Sequence, residues 1–141
     1  MNEKDNKGLG GGIIAISLIQ LILSAIGTIG AAMILANYNT VNKMMSANGV
    51  VAKAPSQTSY IISIAFGIVL MVSIIMILMK MAVGVYGYFL VAVVNIVYSI
   101  VISGFSILIL LSLVLPVIMG ILIFKKKDVF GIGSKLENIE A

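Results

Sequence analysis

The sequence predicts an all-α, polytopic membrane protein: a four-transmembrane-helix bundle with N-in/C-in topology. Three observations carry this. Across residues 54–124 the only charged side chain is Lys80, and a second uncharged stretch covers residues 8–42. The chain of 141 residues is 61% hydrophobic and 10% charged, whereas soluble domains are roughly a quarter charged. The lysines, finally, cluster in the segments that a four-span path puts on one side of a bilayer.

The first element is a short polar tail, residues 1–8, followed by a glycine-rich entry (Gly8, Gly10, Gly11 and Gly12). The first span is predicted over 9–36. Lys4 and Lys7 before an apolar core also resemble the start of a signal peptide. The apolar run continues to Leu35, however, well past an h-region of about 7–15 residues, which favours a retained span. Residues 37–57 form the one sizeable loop, on the extracellular side. Within it Thr40 is placed to cap a short helix over 41–48, stopped by Gly49, with Val41, Met44 and Met45 on one face. A bare loop is the alternative, because so short a helix is marginal alone.

Pro55 and Ser56 open the second span, 58–79, with Ser56 as N-cap. Lys80 begins a short cytoplasmic turn, 80–82. The uncharged stretch that follows, through Phe124, would reach roughly 65 Å as one helix, about twice the hydrocarbon thickness. It must therefore fold back. The best turn is 103–106, which leaves spans at 83–102 and 107–124. Tyr86, Tyr88 and Phe89 near the start of the third span suit an interfacial aromatic belt. Residues 125–141 form a basic cytoplasmic tail. In it Ser134 and Glu137 have capping-box spacing, which suits either a docking peptide or a frayed end.

Orientation follows from counting lysines. With both termini inside, Lys4, Lys7, Lys80, Lys125, Lys126, Lys127 and Lys135 are cytoplasmic, and Lys43 and Lys53 are outside. Seven against two fixes the direction. Lys125, Lys126 and Lys127 directly after the last span act as a topology anchor, with attraction to anionic head groups as the overlapping reading.

Polar residues inside the spans fall into stripes. Gln20, Ser24 and Thr28 in the first span, and Asn95, Ser99 and Ser103 in the third, recur at steps of four and so share a helix face. The constant offset between the two sets hints at a duplicated hairpin, although the second and fourth spans show no matching pattern. Such stripes avoid lipid. They serve either interhelical packing, in which the two ridges satisfy one another, or a polar path through the bundle. Gly27 with Ala31 and Ser63 with Gly67 have small-xxx-small spacing, the signature of close helix contact. Ser112, Pro116 and Gly120 share a ridge of the fourth span, where Pro116 should kink the helix.

The missing residue types exclude chemistry. With no Cys and no His, thiolate and imidazole metal sites are absent, and no acidic residue occurs between Asp5 and Asp128. A proton-coupled antiporter needs a titratable group inside the membrane, and an intramembrane hydrolase needs a nucleophile with a base. Neither set is present, so no catalytic residue, metal or cofactor is expected. The lysines flank the spans and form no separate basic surface, which argues against nucleic acid. The absence of Arg, with abundant Ile, Lys, Asn and Met, points to an AT-rich bacterial genome and hence to the bacterial cytoplasmic membrane. The expected role is that of a small non-enzymatic accessory or scaffold protein. Its partners would be membrane lipids and another membrane protein or a further copy of itself. A small oligomeric pore of holin type, and a solute-carrier or immunity-type protein, are the alternatives.

Overall fold

The computed structural model describes residues 8–49 and 55–132, and these form helices and turns with no strand among them. In chain order the helices are α1 (Gly11–Ala36), α2 (Tyr38–Ala47), α3 (Gln57–Leu78), α4 (Ala82–Ser103) and α5 (Ile107–Lys125), followed by a 3-10 turn (Lys127–Phe130). Helices α1, α3, α4 and α5 are each long and apolar enough to cross a membrane.

The helix ends fall where local chemistry can terminate a hydrogen-bond ladder. Gly10, at φ 82°, sits outside the helical region, so α1 begins at Gly11 rather than at residue 9. Asn37 ends it, donating from Nδ2 to the Met33 carbonyl at 3.1 Å. Helix α2 starts directly after Asn37, earlier than a Thr40 cap would place it, and Gly49 at φ 66° stops it. None of its residues is buried. Ser56 caps α3 by accepting from the Ser59 amide at 3.3 Å.

Helix α3 stops in a Schellman motif. The amide of Met81 donates to the Met76 carbonyl and that of Lys80 to Ile77, both at 2.9 Å. The left-handed position of this motif usually belongs to glycine; here Lys80 occupies it at φ 62°. At the other hairpin Gly104 adopts φ 74°, ψ 179°, a conformation open in practice to glycine alone. Ser106 then caps α5 by accepting from the Leu108 amide at 3.3 Å.

Helix α3 packs along both α1 and α4, and α5 closes the ring against α1 and α4. The four long helices thus follow one another around the bundle as α1, α3, α4, α5. The outward faces carry large apolar side chains, such as Ile22, Ile26, Val101 and Leu111, that stay exposed. The buried polar residues, Ser17, Gln20 and Ser73, point inward. This inverts the pattern of a soluble bundle and is the arrangement a lipid solvent requires.

The apolar core gathers at one end. Leu9 and Ile13 meet Ile74 and Ile77 of α3, Val85 and Tyr88 of α4, and Met119 and Ile123 of α5. Val129 and Phe130 complete it at 3% and 5% exposure. The tail expected over 125–141 is therefore corrected at its start. Two apolar residues fold back under the bundle there, and Gly131 at φ 69° turns the chain beyond them. Lys125, Lys126 and Lys127 remain exposed around this base. The Lys127 ammonium lies 5.6 Å from the Phe124 ring centroid, a cation–π distance. Because residues at both ends of the described chain share the base, they lie at the same end of the bundle. Ser134 and Glu137 are outside the described residues.

Candidate functional site

Away from the base, the four long helices enclose a cavity of about 450 Å³, a size typical of small-molecule sites. Its polar lining comes from every wall: Gln20, Ser24 and Thr28 of α1, Ser63 of α3, Asn95 of α4 and Ser112 of α5. Phe66, Leu70, Val91 and Pro116 supply apolar surface between them. No charged residue lines the chamber.

The floor is one hydrogen-bonded pair. The amide Nε2 of Gln20 donates to the Tyr88 hydroxyl at 2.7 Å. Both residues are buried, at 8% and 1% exposure. The second polar atom of the same amide, Gln20 Oε1, is buried without a partner, and so is Ser17 Oγ. A buried polar atom without a partner is costly, and both Gln20 Oε1 and Ser17 Oγ carry that cost. Above the floor, exposure rises. Gly27, Ser63, Asn95 and Ser112 are all exposed and form the rim. The apolar base closes the chamber at the Gln20 end.

The walls are set by small residues. Ser24 Oγ donates to the Gly67 carbonyl at 3.3 Å, and Thr28 Oγ1 fills the space where a Gly67 side chain would project. Here α1 and α3 come close enough for a side chain of one to touch the backbone of the other. On the opposite flank, α4 lies against α3 at Gly84, whose added Cβ would sit 2.6 Å from Met76 Cβ and 2.7 Å from the Ile77 nitrogen. Gly87 likewise leaves room for Ser73 Oγ. In α5 the ring of Pro116 lines the chamber, and its missing N–H deprives the Ser112 carbonyl of its usual i+4 donor.

Several expectations from the stripes need correction. The ridges of α1 and α4 do not satisfy one another. Among the described side chains, Gln20 bonds Tyr88, Ser24 bonds Gly67, and Ser99 turns back to the Asn95 carbonyl at 2.8 Å. The side chain of Ser103 is outside the described residues. Residues 20 and 95, equivalent under the repeat, hold opposite places, one at the buried floor and one at the exposed rim. Gly27 makes no close helix contact, since a Cβ there meets nothing within 4 Å. Ala31 is half-buried, and Ser63 bonds its own helix at the Ser59 carbonyl.

Tyr88 is the largest miss. It is no belt residue but the buried hydroxyl at the floor, while Phe89 packs at Gly120 and Tyr86 alone is exposed at 64%. One signal was present: Tyr88 lies two helical turns before Asn95, on the same face. Comparison with protein families, with curated proteins and with solved structures finds no match to this chain.

Proposed function

We propose that this is a non-enzymatic accessory protein of the bacterial cytoplasmic membrane that binds another membrane component, with both termini in the cytoplasm. The blind chamber carries this reading. A cavity with neutral polar walls and a sealed apolar base offers a place to hold a molecule and no route through the bundle. Ion conduction needs water or coordinating oxygens through the whole hydrocarbon depth. The base supplies aliphatic and aromatic side chains instead. The polar lining is what favours the second reading, an oligomeric pore, which would require the base to part.

Purified protein in liposomes is expected neither to release a small dye nor to carry single-channel current at either sign of membrane potential. Reproducible conductance that falls when Asn95 and Ser99 are changed together to leucine would promote the pore. Orientation has its own test, since the chain contains no cysteine. An impermeant thiol reagent added to intact cells should label Ser46→Cys and spare Ser134→Cys. The opposite pattern would invert the topology, and labelling of both would mean that the two sites lie on the same side.

A further inference from the structure

Asn95 stands near the middle of α4, a helix long and apolar enough to cross a membrane, and its side-chain amide makes no hydrogen bond among the described residues. The residue is exposed, and it lines the chamber. The hydroxyl of Thr28, in the α1 wall, is without a hydrogen bond in the same way. An amide offers two donors and an acceptor, and a hydroxyl one donor and two lone pairs. Hydrocarbon satisfies none of these, so lipid is a costly occupant for the space they share.

The floor takes no part in meeting a guest. Gln20 Oε1 and Ser17 Oγ each have less than 1 Å² of accessible surface, so neither takes a partner from the chamber. Groups with spare capacity lie beyond the floor. Besides Asn95 and Thr28 they are Ser63 and Ser112, whose protons go to the Ser59 and Ile109 carbonyls at 2.9 and 2.7 Å and whose oxygens can still accept. The volume of about 450 Å³ is more than ten times the share of one liquid water, about 30 Å³. A space this roomy, with these polar partners, suits water and small polar molecules. An ionised guest finds no counter-charge in its walls and would bear a large desolvation cost.

We propose that the chamber is an aqueous pocket within the membrane and a binding site for small uncharged solutes bearing hydroxyl or amide groups, taken from water and held at Asn95 and Thr28. Phe66, Leu70 and Val91 receive the carbon skeleton of such a guest. This goes beyond the binding reading above, and the two fail separately. Conductance would remove that reading and leave the pocket hydrated, whereas a dry chamber removes only the solute site.

The test uses single cysteines in the full chain, which has none of its own, in phosphatidylcholine nanodiscs. The thiolate is the reacting form, and hydrocarbon suppresses it. The probe is 2-hydroxyethyl methanethiosulfonate, itself a small uncharged hydroxyl compound. It should modify Asn95→Cys, Ser63→Cys and Ser112→Cys. It should spare Ile22→Cys and Leu90→Cys, whose positions are exposed at 59% and 66% but do not line the chamber. The trimethylammonium-ethyl reagent, a cation, should react with the chamber sites about tenfold more slowly than the uncharged one, after each is normalised to Ser46→Cys on the exposed helix α2. Adding Asn95→Leu to Ser63→Cys should slow the uncharged reagent about fivefold, the equivalent of one hydrogen bond. Chamber cysteines as unreactive as Ile22→Cys would overturn the proposal, since the space is then dry. Equal normalised rates for the two reagents would overturn the preference for uncharged solutes, and an unchanged rate with Asn95→Leu would remove Asn95 from the site. Should Asn95→Cys fail to fold, the near-isosteric Ser63→Cys and Ser112→Cys decide alone.

Discussion

Gly84→Ala should destabilise the bundle by about 2 kcal/mol or more. Overpacking a tight contact costs about 1–3 kcal/mol, and the atoms met here are partly backbone, which cannot rotate away. The new Cβ would lie 2.6 Å from Met76 Cβ, 2.7 Å from the Ile77 nitrogen and 2.8 Å from the Met76 carbonyl carbon. Alanine's better helix propensity returns less than about 1 kcal/mol, so the clash decides the sign. The hairpin of α3 and α4 must open, and with it the core around Ile77 and Val85 loosens. Reversible unfolding in mixed detergent micelles reads the effect, and Gly27→Ala is the matched control. The control meets no neighbour and should be neutral or slightly stabilising. A Gly84→Ala protein as stable as wild type would mean that α3 and α4 do not approach this closely.

Gly67→Ala should cost nearly as much, for a reason that a second substitution can cancel. Its Cβ would occupy the place of Thr28 Oγ1 and stand 3.3 Å from Thr28 Cβ. Threonine is stiff about χ1, so either it adopts a poorer rotamer or α1 and α3 move apart. Separation would also stretch the bond from Ser24 Oγ to the Gly67 carbonyl, already 3.3 Å long. A loss of about 1–2 kcal/mol is expected. Thr28→Ala vacates the space, so the double variant should be more stable than Gly67→Ala alone, with a coupling energy of about 1 kcal/mol. Strict additivity in this cycle would sink the contact. Of the two paired glycines suggested by small-xxx-small spacing, only Gly67 is expected to respond.

That contrast shows where the sequence stops being legible. Spacing identifies small residues on a helix face, but it says nothing about which faces meet. Gly27 and Gly67 carry equal signals, and the relative rotation of α1 and α3 puts one at an open rim and the other beneath Thr28. Gly84 gave no spacing signal at all; its closeness to Met76 and Ile77 follows from how tightly the hairpin folds over Lys80. Lipid disfavours polar stripes, and Gln20, Ser24, Thr28 and Asn95 do line the chamber. Their partners were not legible. Gln20 was expected opposite Asn95 and its ridge, and it bonds Tyr88 instead.

The spans and their all-helical character were fixed by composition and length alone. An uncharged chain of some 20 residues in lipid has to close its hydrogen bonds within itself, so hydropathy reads out helices directly. Local caps were legible too, because Ser56 needs only its own next turn to act. The 3-10 turn that buries Val129 and Phe130 was hidden behind three lysines, since burial there depends on the distant ends of α1, α3 and α4. The chamber belongs wholly to the tertiary level. Its floor joins residues 68 positions apart, and its walls come from four helices whose rotations are set by side-chain packing. Hydrogen bonding along one helix is a local matter that composition announces. The empty space between four helices is what their mutual packing leaves over, and no single stretch of sequence specifies it.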